Sequence, residues 1–337
     1  MEEAAATDHS SAPPQAESSE IPSVVEITIP PESLVGFEAD YERVSKTWPA
    51  DLSTTTDDAK NEQFVSSAHA LVRRWLPQEL VYRLENYMYD PAESAVLLIR
   101  GFPIDKELPP TELDLHIKKE GKHMSETWLV GIARIMGQVF ILTFLRGSRT
   151  GLGMLVRELY STPDKLNYVG AEGSRELLDL HVDFGQAIPT KFAHILVFMG
   201  IKGDPNKEGK TLLCDNRTLY RKLDPADIEV LRSEKITWEM KMTQFSQYII
   251  EGPESNPQIF VFDENFTGVG VATSVTEGVY LEGGDVLILN QKKASHGRSP
   301  YAPKFDGNDR WLQRIYVNSG FWEAGHTQWP CRSISVP

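Results

Sequence analysis

One short run constrains this fold more than any other: Leu178-Asp179-Leu180-His181-Val182-Asp183-Phe184. On a β-strand side chains alternate between faces with a period of two, so His181 and Asp183 project to the same side. An imidazole next to a carboxylate supplies two of the three ligands of a 2-His-1-carboxylate metal site. The same pair also reads as a plain His–Asp hydrogen bond on a half-buried strand, so a third ligand has to be found elsewhere. His296 is the best placed. It follows the buried-strand run Val286-Leu287-Ile288-Leu289 and a tight polar turn, which would hold it on a rigid element. His69, His116 and His123 fall in a helical and loop-rich half, His194 sits inside an apolar strand, and His326 has no matching surroundings.

Size and composition set outer bounds. The chain has 337 residues, of which 41% are hydrophobic and 24% charged, as in an ordinary globular protein with a sizeable core. A formal net charge of −14 argues against a nucleic-acid partner, which would call for a basic face. Two cysteines, Cys214 and Cys331, cannot build a disulfide framework, and a reduced compartment follows. No apolar run approaches a membrane span, and the start Met1-Glu2-Glu3-Ala4 lacks an apolar signal core. The expectation is a cytoplasmic protein without membrane or nucleic-acid partners.

Residues 1–22 are rich in Ala, Ser, Glu and Pro and cannot offset their ordering entropy by burial, so they read as a disordered tail. Residues 23–337 read as a single domain. Val24 to Ile29 is β-like. Asp58 to Tyr89 is helical, with Phe64, Ala68, Val72, Leu76 and Leu80 at helical spacing and a break at Pro77. Ala95 to Ile99 is a buried strand closed by Gly101 and Pro103. Ser125 caps a helix running to about Val139. A β-rich half begins near Leu152, with strands at His194–Met199 and Thr211–Cys214 and many short ones over 236–318, interrupted by a short helix at Asp224-Pro225. In the segment after Arg310, residues alternate so that Arg310, Leu312 and Arg314 share a face. Helices followed by many short strands point to a mainly β fold backed by helices.

Four blocks carry a resemblance to a known family: His181/Asp183, His296-Gly297-Arg298, the stretch Asp306-Gly307 to Arg310-Trp311-Leu312-Gln313-Arg314, and the Gly101-Phe102-Pro103 turn after a core strand. Together, over about residues 94–318, they resemble the Fe(II)/2-oxoglutarate-dependent oxygenases, within them the clavaminate synthase-like group that includes free amino-acid hydroxylases. The resemblance implies a double-stranded β-helix, or jelly-roll, core. It implies Fe(II) on His181, Asp183 and His296, with 2-oxoglutarate and O2 as cosubstrates. It gives Arg310 and Thr211 the far carboxylate of 2-oxoglutarate, against an alternative in which Arg310 makes a surface salt bridge with Asp306 or Asp309. It gives Arg314 the carboxylate of an amino-acid substrate, and it points to Leu155, Glu158, Ser174 and Asp263 as further substrate contacts. Oxygenases of this kind convert 2-oxoglutarate to succinate and CO2 while hydroxylating an unactivated C–H bond; the same scaffold also supports desaturation and cyclisation. The presence of Asp183 separates the chain from members that halogenate, which lack the carboxylate. Hydroxylases of the group often carry Glu where this chain has Asp183, which leaves metal binding intact and the substrate open. A reading from another class is a non-catalytic jelly-roll binding protein; such a module has no need of the triad with an arginine beside it.

Overall fold

The computed structural model describes residues 23–48, 58–111, 123–144, 155–167, 173–183, 193–228, 237–240, 248–251, 274–318 and 332–336. The tail at 1–22 and Asp263 lie outside the described residues. In chain order the strands are β1 (Val24–Thr28), β2 (Val96–Arg100), β3 (Gln138–Phe144), β4 (Arg157–Tyr160), β5 (Leu178–His181), β6 (Ile195–Lys202), β7 (Thr211–Asp215), β8 (Thr237–Met240), β9 (Tyr248–Glu251), β10 (Thr276–Val279), β11 (Val286–Asn290), β12 (Ala294–Arg298), β13 (Trp311–Asn318) and β14 (Arg332–Val336). The helices are α1 (Phe37–Ser45), α2 (Asp58–Trp75), α3 (Gln78–Asn86), α4 (Met124–Met136) and α5 (Asn216–Lys222).

The strands form a large sheet in the order β1-β2-β11-β6-β13-β3-β14, with β4 also paired to β13, and a smaller sheet in the order β10-β7-β12-β5. Strands β8 and β9 make a separate pair. Strands β2, β11 and β6 of the large sheet are apolar along most of their length because they are covered on both faces, whereas β13 also carries Gln313 and Arg314. In β6, Ile195, Val197, Met199 and Ile201 pack with the helices, whereas Leu196 and Phe198 pack with Leu213 and Ala294 of the smaller sheet. Strands β11 and β13 divide the same way: Ile288 and Ile315 face the helices, and Leu287 and Leu312 face the space between the sheets.

Behind the large sheet, α4 is the central helix. Twelve of its residues are buried, and it packs between β13 and α2. Gly131 permits the contact with α2, because a Cβ there would lie 2.8 Å from the carbonyl oxygen of Ala68. Pro77 ends α2 and starts α3, as its missing N–H and the restriction on the preceding residue require.

Several local expectations are corrected. Ser125 lies inside α4, its hydroxyl directed to Glu126 at 3.0 Å, and the N-cap position belongs to His123, which makes no side-chain cap. The helix ends at Met136, before Val139, because Gly137 leaves the helical conformation and β3 starts at once. The β-rich half therefore begins at Gln138, ahead of Leu152. The short helix α5, unexpected from the sequence, is capped by the Asp215 carboxylate, which accepts from the backbone N–H of Arg217 at 2.8 Å. Among the described residues no helix is long and apolar enough to cross a membrane.

Candidate active site

The smaller sheet builds the site. Strands β5 and β12 run antiparallel with His181 directly opposite His296, which places the two rings 4.4 Å apart between centroids. The register shifts between His296 and Arg298, and Gly297 sits at the shift. A Cβ at Gly297 would lie 2.5 Å from the carbonyl oxygen of Leu178, so only glycine lets β5 approach this closely. His296-Gly297-Arg298 is thus part of a strand and not a turn. Asp183 follows β5 by two residues, and one ligand atom from each of His181, Asp183 and His296 lies within 4.8 Å of the others.

Hydrogen bonds orient each ligand. His181 Nδ1 lies 2.7 Å from the carbonyl oxygen of Asp179, an arrangement in which Nδ1–H donates and Nε2 keeps its lone pair for a metal. That Nε2 is 3.3 Å from Asp183 Oδ1. The other carboxylate oxygen, Oδ2, accepts from Arg314 Nη1 at 2.9 Å and from the Tyr316 hydroxyl at 3.0 Å. The backbone of Asp183 is tied as well: its N–H donates to Gln291 Oε1 at 2.6 Å, and Gln291 Nε2 donates to the carbonyl of Ala193 at 2.6 Å. Gln291 is fully buried in the turn between β11 and β12, so the turn that leads into the strand of His296 also fixes Asp183.

Protonation suits metal ligation at His296 and Asp183, whereas at His181 a metal would displace a proton that Asp183 stabilises. Burial, helped by the neighbouring His181, pushes His296 down to about 3, so its imidazole is neutral. Its buried Nδ1 has no hydrogen-bond partner. Burial also opposes charge on His181, but the hydrogen bond and charge of Asp183 outweigh it and its pKa is raised. For Asp183, burial is overcome by the Arg314 guanidinium and the two imidazoles, which hold the carboxyl well below the usual range. Two imidazoles and an ionised carboxylate on one face, with an orphaned ring nitrogen among them, fit a divalent metal with open coordination positions.

A second buried polar pair, Arg310 and Thr211, lies by the strand next to β12. Arg310 is buried, and its Nη2 lies 3.2 Å from Thr211 Oγ1. Thr211 pairs in register with Arg298, which is also buried. Burial pulls Arg310 down to about 10, which leaves it cationic at neutral pH. The alternative partners are engaged elsewhere: Asp309 accepts from the backbone of Lys304 and Phe305, and Asp306 from that of Asn308. Among the described residues no carboxylate lies within ion-pair distance of Arg310. A buried guanidinium with only a hydroxyl for company is suited to an incoming carboxylate.

The remaining sequence candidates are scattered. Arg314 does face the triad, but its partner here is the Asp183 carboxylate. Leu155 packs in the core on the helix side of the large sheet. Glu158 also faces that side, where it accepts from Trp311 Nε1 at 2.5 Å and Gln313 Nε2 at 2.9 Å. The structure therefore does not bring Leu155 or Glu158 together with the triad. Ser174 is buried and its hydroxyl accepts from the backbone N–H of Glu176 at 3.0 Å, which stabilises the turn into β5. Sequence reasoning missed Gln291 and Tyr316. Tyr316 was legible in principle, since it continues the face shared by Arg310, Leu312 and Arg314; nothing in the sequence marks Gln291.

No family model matches the chain. Clavaminate synthase 2 from Streptomyces clavuligerus is 25% identical over 280 residues, covering 76% of this chain and 83% of that protein. An L-lysine 3-hydroxylase from Catenulispora acidiphila is 25% identical over 295 residues, covering 80% and 79%. A crystal structure of an asparagine oxygenase with Fe(II), 2S,3S-3-hydroxyasparagine and succinate shares the fold, with a TM-score of 0.69 at 18% identity over 87% of this chain and 93% of that one. The resemblance carried by the four motifs thus extends over most of the chain.

Proposed function

We propose that this chain is an Fe(II)/2-oxoglutarate-dependent oxygenase that hydroxylates a side-chain carbon of a free amino acid or a close derivative. The observation that carries the reading is the pairing of the His181/Asp183/His296 triad with the buried Arg310, which is hydrogen-bonded to Thr211. A jelly-roll binding module would need neither. The similarity to clavaminate synthase 2 and to a lysine 3-hydroxylase supports the same class of chemistry. We read the two facing sheets as a double-stranded β-helix core and residues 23–337 as a single domain. A free buried thiol at Cys214 fits a cytoplasmic setting.

In this reading His181 Nε2, a carboxylate oxygen of Asp183 and a ring nitrogen of His296 hold the metal. When bound, Fe(II) with 2-oxoglutarate and O2 supplies the oxidising power, yielding succinate, CO2 and a hydroxylated product. The protein binds and orients. Arg310 and Thr211 receive the far carboxylate of 2-oxoglutarate through a bidentate-capable fork and a hydroxyl. Arg314 and Tyr316 occupy Asp183 Oδ2, which leaves Oδ1 on the His181 side and favours one-oxygen ligation. Phe198 and Leu213 form an apolar floor under the buried His296 imidazole; the Phe198 ring is 5.6 Å from that of His296.

The test is spectroscopic. Fe(II) and 2-oxoglutarate added without oxygen should give a weak visible charge-transfer band that is absent in His296→Ala. A folded wild-type protein that gives no band would sink the oxygenase reading and leave the binding module as its replacement.

A further inference from the structure

Strand β13 carries a residue beside the metal site that the motifs pass over. Its side chains alternate, so Ile315 and Val317 pack with the helices while Leu312 and Tyr316 pack between the sheets. Arg314 shares the face of Leu312 and Tyr316 and reaches the triad from it. The Tyr316 ring is buried in a core cluster that includes Leu196, Phe198 and Leu213. For packing alone a phenylalanine would serve there. The hydroxyl is directed to the ligand carboxylate: it donates to Asp183 Oδ2 at 3.0 Å.

Two donors converge on that one oxygen. Arg314 Nη1 reaches Asp183 Oδ2 at 2.9 Å, and the Tyr316 hydroxyl reaches it at 3.0 Å. A carboxylate oxygen has two lone-pair positions, so two donors fill Oδ2. Oδ1, 3.3 Å from His181 Nε2, is the oxygen left on the side of the imidazoles. The donors are also tied to each other, because the central carbon of the Arg314 guanidinium lies 4.8 Å from the centre of the Tyr316 ring. The Arg314 bond alone would fill one position of Oδ2 and leave the other open to a metal. A carboxylate with a position open on each oxygen can chelate through both, as carboxylates do around larger cations.

We infer that Tyr316 is a positioning residue of the metal centre: its hydroxyl closes Asp183 Oδ2, holds the carboxylate to one-oxygen ligation and so keeps the protein from taking a further coordination position. This rests on the metal site proposed above. It goes further in making the number of protein ligand atoms depend on a side chain outside the triad, and on a hydroxyl that Arg314 cannot replace.

Infrared difference spectra test this. Metal-free protein, isotopically labelled at its aspartate carboxyls, is loaded with Co(II), and the loaded-minus-free spectrum reports the aspartate whose bonding changes. One-oxygen ligation separates the symmetric and antisymmetric carboxylate stretches widely, and two-oxygen ligation draws them together. Wild type should show the wide separation. Tyr316→Phe removes one oxygen and keeps the ring beside Arg314. It should show the narrow separation and bind Co(II) about tenfold more weakly, because the ligand has lost a donor that orients it. Tyr316→Leu makes the same comparison if the phenylalanine variant does not fold, which urea unfolding of the metal-free protein reports. A narrow separation in wild type, or a wide separation or unchanged Co(II) affinity in a folded Tyr316 variant, would overturn the inference while the metal site stands. A folded wild-type protein that binds no Co(II) would overturn the oxygenase reading itself, and the inference with it.

Discussion

Replacing Gln291 by alanine tests whether the triad is held by the turn that precedes His296. The Gln291 side chain accepts from Asp183 N–H at 2.6 Å and donates to the Ala193 carbonyl at 2.6 Å, with a longer contact of 3.4 Å to the Asp183 carbonyl. Ala193 is fully buried and Asp183 half-buried. Alanine strands one backbone donor and one backbone acceptor, each costing about 1–3 kcal/mol when buried, with a lower cost at the half-buried Asp183. A loss of about 2–5 kcal/mol follows once the vacated volume is counted. Metal affinity should fall as well, by about 10- to 100-fold, because the peptide that presents the carboxylate ligand loses its tether. Urea unfolding of the metal-free protein measures the first effect, provided the denaturant slope is unchanged. A Co(II) titration followed by its visible spectrum measures the second. Gln291→Glu keeps the acceptor for Asp183 N–H but loses the donor to Ala193, so it should fail on stability too. A change below about 1 kcal/mol with Co(II) affinity intact would refute the tether, since even one unmade buried bond costs more.

Three further outcomes are expected. Arg310→Ala should weaken 2-oxoglutarate binding by about 10-fold or more while Co(II) still binds, because the charged fork is lost and the triad is not; unchanged succinate formation would remove Arg310 from its role. Gly297→Ala should push β5 from β12, since the new Cβ would meet the Leu178 carbonyl at 2.5 Å; loss of metal binding in a protein that still folds would show it, and normal affinity would refute it. The acid limb of stability should depend on His296. Its folded pKa of about 3 lies below the unfolded value, so between about pH 6.5 and 3 the unfolded chain binds a proton that the folded state refuses. The stability from this group is therefore present above pH 6.5 and falls on acidification, by at most about 1.4 kcal/mol per pH unit. In metal-free His296→Gln this slope should flatten, and an unchanged slope would exclude the buried neutral imidazole as its source.

Much of the site could be read from the chain because its chemistry depends on local spacing. Spacing marked His181 and Asp183 as a ligand pair, although only His181 lies in β5 and Asp183 follows it in a turn; alternation put Leu312, Arg314 and Tyr316 on one face of β13, with Arg310 just ahead of it. The long apolar runs of β2, β6 and β11 read as strands because a sheet covered on both faces leaves no polar alternation. Helix ends were less legible: a serine near the start of α4 looked like a cap, yet its hydroxyl is directed to a neighbouring glutamate inside the helix.

The sequence by itself determined the ligand types, the segment that carries two of them and the helix-backed β class. Tertiary structure decided everything that depends on register. That His181 meets His296 is a property of the β5–β12 pairing, which no spacing between the two residues encodes. That Glu158 turns away from the site follows from the register between β4 and β13, which sets it against Gln313; a shift of one residue would reverse the face it presents. Gln291 became part of the site only because the turn after β11 folds back over Asp183. The physical reason is common to all three. Periodicity fixes which residues share a face of one strand, but the face a strand presents to its neighbour is chosen by burial summed over the whole sheet.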